Sequence, residues 1–529
     1  MRRFLILLLA LSFGYCLDLN NSSKFFKGTD RNKDSRAKFG FKLPKDVAVI
    51  GAGMAGLAAA RKLTADRSNF NVQVYEARRE RFGGRVWTDK LTNIKAKGPE
   101  VDLGGSAFIV ANKNNPLVEL AEDFELKSVN IGQLQFLIPW EKRVISGKEL
   151  TTISMETSKI FEQALNESKT SKIEMSVREA IDLVLKSGKI ATSDSPSGHL
   201  IRCASSYILE DYSTKHYHQS DLLGVDYDRV LVDGMGELTD RLLSGNFGES
   251  PLHLNLNKVA RQIKIDKERG KVVVRFTDGS QIVSDTAVVA VPLSVISSGD
   301  LQFEPALPKS YQEAAKQTAI ASENKVIVEF EHAFWPKEFG IFMRAVQKKE
   351  ERGYLQTWVN INHIVDVPAL SGLLVGTSAE DFEKLSDEEA EKAVLHVLSE
   401  MFGDALLSKG GKIVRLQRSA WVSDHWSKGA ATYARVGSSP AMWDVFSEPL
   451  CPGVYFAGEH TSFINHGTLH GAYISGLRAA NQIQENLCEQ KRLQEQEEEE
   501  KQQKAAKSHA EGQEQTQSKD KTVGLKNEL

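Results

Sequence analysis

Gly51-Ala52-Gly53-Met54-Ala55-Gly56 places three glycines at the spacing that holds a diphosphate. Gly51 permits a tight turn, Gly53 lets backbone approach a pyrophosphate, and Gly56 lets a helix pack close on a strand. The phosphates then rest on the free N–H groups that open that helix, where Ala55 stands. Glycine-rich loops are common, so the flanks decide. Here the apolar run Val47-Ala48-Val49-Ile50 precedes the glycines, and a helical run from Leu57 to Leu63 follows them. A second strand, Val72-Gln73-Val74-Tyr75, delivers Glu76, a carboxylate placed to accept hydrogen bonds from ribose hydroxyls. An acidic group there disfavours a 2′-phosphate, and hence NADP.

A second set of residues chooses between nicotinamide and flavin. Arg81-Phe82-Gly83-Gly84-Arg85 follows closely, and Asp102-Leu103-Gly104-Gly105 lies further on. A nicotinamide enzyme has no use for them, whereas the longer body of FAD runs past the first helix. The Arg85 guanidinium suits a further phosphate contact. With Gly453-Val454-Tyr455-Phe456-Ala457-Gly458-Glu459 near the far end, residues 45–485 resemble the flavin-dependent amine oxidase family. That family includes monoamine oxidases, polyamine and spermine oxidases, and lysine-specific histone demethylases. The resemblance implies FAD as cofactor. It also implies an α/β fold, with a Rossmann-like FAD-binding lobe built from discontinuous segments and an inserted α+β substrate-binding lobe.

The resemblance carries over position by position. Gly51, Gly53, Ala55 and Gly56 match the diphosphate loop, and Glu76 the adenosine-ribose carboxylate. Gly84 and Arg85 match the Gly-Gly-Arg element, although the stretch from Glu76 to Gly83 is one residue longer than usual. Val259 matches the position whose backbone meets adenine, and Gly458 with Glu459 the ribityl side. Thr468 and Leu469 open the segment aimed at the pyrimidine end of the ring, where a helix N-terminus favours negative charge. Lys325 matches the lysine that holds a water near flavin N5, and is the expected catalytic residue. Read without the resemblance, a lysine in an apolar strand more often points outward from an edge. Asp424 and Trp426 match the border of the substrate cavity, with His425 in place of the usual proline. Ala431 and Thr468 stand where many relatives carry an aromatic pair, and Tyr433 lies two residues beyond Ala431. Ser106-Ala107-Phe108-Ile109 offers no carboxylate for a polycation.

These motifs need elements to position them. The expected organisation is FAD-binding segments at 45–110, 231–300 and 416–485, with substrate segments at 111–230 and 301–415. Helical patterns run from Pro116 to Phe124, Thr157 to Leu165 and Val177 to Leu185, with few strand signals in that stretch. A β-meander is expected at Val272 to Phe276 and Ala287 to Val291, turning at Asp278-Gly279, and alternation resumes over 323–380.

Composition bounds the rest. The chain has 529 residues, is 41% hydrophobic and 26% charged, and carries a net charge of -3. No basic excess exists to bind nucleic acid. Residues 1–16 read as a secretory signal, too short for a comfortable membrane span, with an uncleaved anchor as the alternative. Residues 17–44 are a polar leader, and 486–529 a charged tail expected to fray into disorder. Lys526-Asn527-Glu528-Leu529 differs at one position from a lumenal retention signal, so the endoplasmic reticulum is the expected address, with secretion as the alternative. Asn20, Asn21 and Asn166 head sequons. Beyond Cys16 only Cys203, Cys451 and Cys488 remain, with no metal-ligand spacing.

The resulting expectation is an FAD-dependent oxidase of a small-molecule amine, passing electrons to O2. An FAD enzyme for another substrate, or a non-catalytic flavoprotein that binds a partner, are the alternatives. The oligomeric state is not readable.

Overall fold

A computed structural model of the protein describes residues 46–65, 70–91, 100–106, 109–110, 115–171, 174–205, 211–217, 228–246, 249–450, 453–485 and 493. The signal, the leader, Asn20, Asn21, Cys451, Cys488, the charged tail apart from residue 493, and the C-terminal tetrapeptide lie outside them. Among the described residues no helix is long and apolar enough to cross a membrane.

The amino-terminal unit forms as its pattern predicts. β1 (Asp46–Ile50) is buried from Val47 onward on both faces, as a central parallel strand must be. Gly51 turns the chain into α1 (Met54–Ala65), and β2 (Asn71–Tyr75) returns parallel to β1. Three strands from far along the chain complete this parallel sheet. β3 (His253–Asn255) pairs with β2, β4 (Thr286–Val289) pairs with β1, and Val454–Phe456 pairs with β4. This parallel sheet is therefore assembled from segments up to about four hundred residues apart in sequence.

The expected meander splits in two. Lys271–Phe276 does turn at Asp278-Gly279, but into Gln281–Ser284. The run from Ala287 instead enters the parallel sheet as β4, because its residues are buried on both sides and can sit only in a covered layer.

A second sheet has seven strands. Its order is Ile413–Arg418, β5 (Glu323–Phe330), Ala369–Val375, Tyr354–Asn360, Phe339–Arg344, Gln133–Ile138 and Arg143–Ile145. Alternation along β5 sends Val326 and Val328 to one core, with Trp358, Val394 and Leu398, and Ile327 to the other, with Ile160, Phe161 and Leu200. Strand Gln133–Ile138 went unrecognised in the sequence because the buried amide of Gln135 interrupts its apolar run. The segment borders expected at 230 and 415 fall inside strands Asp228–Leu231 and Ile413–Arg418. Asn166 is exposed on the helix Gly147–Ser171.

The last helix, α2 (Leu469–Gln484), packs across α1 with no room to spare. A Cβ on Gly476 would lie 2.2 Å from the Ala55 carbonyl oxygen, and one on Gly56 would lie 2.0 Å from that of Gly51. Gly476→Leu should therefore force the two helices apart. The expected destabilisation is about 1–3 kcal/mol, the usual range for overpacking, and shows as a lower midpoint in thermal unfolding. An unchanged midpoint would mean that this contact yields easily.

Candidate active site

A cavity of about 590 Å³ lies between the two sheets. Gly51, Gly53, Ala55, Glu76, Gly84, Arg85, Val259, Lys325, Gly458, Glu459, Thr468 and Leu469 all line it. Gly56 does not. It is spent on the close approach of α1 to the turn at Gly51, so its role is packing rather than ligand contact.

At one end the floor is backbone. Gly51 and Gly84 take positive φ angles of 104° and 63°, which L side chains rarely adopt. Gly83 N–H donates to the Ala52 carbonyl at 2.8 Å, which seats the second glycine pair against the first. A Cβ on Gly84 would come within 3.3 Å of the Gly53 Cα. Glu76 is buried, with Oε2 accepting from Ala52 N–H and Oε1 from Arg78 N–H, each at 2.9 Å. The first N–H groups of α1 have no carbonyl partners within the helix and open at this floor. Arg81 braces it: its guanidinium donates to the Gly84 carbonyl at 2.7 Å and lies over the Trp87 ring at 5.2 Å. Burial, reinforced by Arg78, pushes Arg81 down to about 10.

Arg85 and Glu459 enter the sequence reading separately, one toward phosphate and one toward ribityl. The fold joins them. Arg85 Nη1 donates to Glu459 Oε1 at 2.9 Å and to the Ala430 carbonyl at 2.8 Å. Glu459 Oε2 accepts from the Thr432 hydroxyl at 2.6 Å and from Gly467 N–H at 2.8 Å. Burial alone would raise this carboxyl, but Arg85 and these donors outweigh it and hold Glu459 down at about 2.

Lys325 is interior, not an edge residue. Its backbone N–H donates to Ser419 Oγ at 2.8 Å, and β5 is paired on both sides. The ammonium donates to the Gly104 carbonyl at 2.6 Å and to the Ser106 hydroxyl, with the Asp102 carbonyl at 3.4 Å. Burial lowers the Lys325 ammonium, opposed by Asp102 and Glu323. The Asp102 carboxyl is raised by burial and accepts from Met235 N–H at 2.9 Å. Gly105 meets α2 here, since an added Cβ would sit 3.2 Å from Leu469. Thr468 caps α2 by accepting from Gly471 N–H at 2.9 Å, so that helix begins at the cavity wall.

Asp424 does not line the cavity. Its carboxylate clamps Arg78 through two hydrogen bonds of 2.8 Å, and Arg78 is the one exposed to the cavity. His425 and Trp426 do line it, as do Ala431 and Tyr433. Sequence reasoning missed Tyr212, Trp421, His466 and Glu323. The Tyr212 ring stacks on Tyr433 with centroids 6.0 Å apart, and its hydroxyl lies 3.3 Å from His466 Nε2. Trp421 meets Trp87 edge-on at 6.1 Å. Only Tyr433 left a signal, by its distance from Ala431. Tyr212 and His466 sit 254 residues apart and carry no motif.

The residues fit FAD. A glycine-floored helix N-terminus suits the diphosphate, Glu76 a ribose, and the start of α2 the end of the ring that takes up negative charge on reduction.

Arg85→Met would strand a buried carboxylate, which costs about 3–5 kcal/mol. The stabilisation from Glu459 is present above the ordinary carboxylate range and disappears as pH falls toward 2, because its folded value is depressed. The advantage of wild type over Glu459→Gln in thermal unfolding should be full at neutral pH and shrink steadily below about pH 4. A difference independent of pH would refute the ion pair.

Comparison with known proteins agrees with this geometry. The family model described as flavin containing amine oxidoreductase matches residues 54–484. Polyamine oxidase 5 of Oryza sativa subsp. japonica is 28% identical over 467 residues, covering 84% of this chain and 89% of its own. Polyamine oxidase 2 of Arabidopsis thaliana is 29% identical over 464 residues, with 84% and 89% covered. Lysine-specific histone demethylase 1 homolog 1 of Arabidopsis thaliana is 28% identical over 454 residues, but this chain spans only 52% of it. A putrescine oxidase structure, a double mutant redesigned in cofactor binding, superposes with a TM-score of 0.62 at 20% identity, over 83% of this chain and 98% of that one, and so shares the fold. The chain belongs to the flavin-containing amine oxidoreductase family and is an FAD-dependent oxidoreductase.

Proposed function

We propose that the protein oxidises an amine at the carbon next to nitrogen, giving an imine that water hydrolyses, with O2 as final electron acceptor and H2O2 as product. FAD, when bound, supplies the hydride acceptor. The observation that carries the reading is the buried Lys325 ammonium, fixed by the Gly104 carbonyl and the Ser106 hydroxyl on the wall of the cofactor cavity. A buried ammonium is expensive unless it is partnered, and these acceptors partner it. Here it is held within the cavity, where it can orient a water and stabilise negative charge that develops during electron transfer.

The remaining walls suit an amine's carbon skeleton. Trp421, Trp426, Tyr212 and Tyr433 line the cavity, and aromatic faces attract an alkylammonium. Ala431 and Thr468 are not aromatic, but the stacked Tyr212 and Tyr433 put two rings on the same cavity. The names of the polyamine oxidases to which the chain is similar support amine oxidation without choosing the amine.

Two measurements test this. Purified protein should show a flavin spectrum that bleaches on anaerobic addition of at least one member of an amine panel. Bleaching by none would refute the reading. Lys325→Met keeps most of the side-chain length while removing its charge. It should retain FAD and slow the oxygen-dependent half of turnover more than the anaerobic half, by roughly one to three orders of magnitude. Wild-type rates in both halves would reduce Lys325 to a structural strand residue.

A further inference from the structure

Most carboxylates on the cavity wall are already committed. Glu76 accepts from two backbone N–H groups, Glu459 from Arg85, and Asp300 from Lys428. Glu323 is the exception: no hydrogen bond from a described residue reaches its side chain, which is partly exposed and lines the cavity. It heads β5 two residues before Lys325, and the two-residue period of a strand puts both side chains on one face. The backbone N–H of Trp421 donates to the side chain of the neighbouring Asn324 at 2.9 Å. A carboxylate beside a buried ammonium, with no direct bond to it, is poorly explained by folding alone.

We propose that Glu323 is the counter-ion that receives the substrate's ammonium group and then takes its proton. This rests on the amine reading above. The step is balanced: one N–H bond breaks, an O–H bond forms on Glu323, and the electron pair stays on nitrogen as the lone pair that oxidation needs. An amine with an ordinary pKa near 10 arrives as a cation. In the cavity, desolvation and the Lys325 charge both disfavour a second ammonium, while burial raises the Glu323 carboxyl above its usual range. The proton gap between donor and acceptor narrows from both sides. Other charges near Glu323 are engaged. Asp102 accepts from Thr88 and Met235, Glu380 accepts from Ser322, and Glu383 accepts from Asn324. Among the described residues, the wall thus offers one uncommitted carboxylate, which suits a single ammonium at the reacting end.

Glu323→Gln, purified with its FAD, tests both roles. Pentyltrimethylammonium carries charge but no N–H, and its binding can be followed by the flavin spectrum. The variant should bind it at least about tenfold more weakly at pH 7, while 1-hexanol binds as to wild type. With an amine that reduces wild type, anaerobic reduction of the variant at pH 7 should fall about 100-fold, and should recover about tenfold per pH unit as the free amine grows in solution. A variant that binds the quaternary cation like wild type, or whose reduction follows the wild-type pH profile, overturns the role of Glu323 and leaves the amine reading standing. A wild-type enzyme that no amine reduces refutes the amine reading and this proposal with it.

Discussion

A carboxylate in the protein interior must be surrounded by donors, and Glu459 is the one on which this structure turns. Its partners come from Arg85, Thr432 and Gly467, so a single charge gathers the Gly-Gly-Arg element, the strand Ala431–Tyr433 and the loop before α2. None of these segments could drift without uncovering a desolvated charge, which costs several kcal/mol. The cavity is bounded by the same residues. Folding and cofactor-site assembly therefore depend on one electrostatic requirement.

The glycines supply the opposite contribution: absence of volume. Gly51 and Gly84 let backbone form the cavity floor, and Gly56 and Gly476 let α1 lie against both the turn and α2. A helix held that closely has its N-terminus aimed by packing rather than by side chains. Its unpaired N–H groups then form a rigid anion site with little reorganisation on binding.

Across the cavity the logic changes from backbone to side chains. The seven-stranded sheet is a rigid platform buried on both faces, and β5 presents Glu323 and Lys325 from it. Residues on an interior strand hold position better than residues on loops, as a reacting geometry requires. The two ions differ in their support. Lys325 is tied to backbone on the opposite lobe, whereas Glu323 is left to the cavity. A fixed cation beside a carboxylate open to the cavity is an arrangement that can move a proton without moving the chain.

The local parts were legible in the sequence because local chemistry dictates them. The strand–glycine–helix unit, Glu76 and the second glycine pair each follow from residue types at short spacing, whereas the burial of Lys325 was legible only through the family resemblance. What tertiary structure alone decided is which distant groups meet. The run from Ala287 left the expected meander for the parallel sheet, since only a layer covered on both sides can bury it. Gln135 disguised a strand because one buried amide breaks an apolar pattern without breaking the ladder. Arg85 found Glu459 across 374 residues, Tyr212, itself in no motif, found Tyr433, and Arg78 took Asp424 off the cavity wall. Spacing along a chain encodes turns and helix faces, whereas pairings between lobes are set by the packing of whole sheets, which no short motif records.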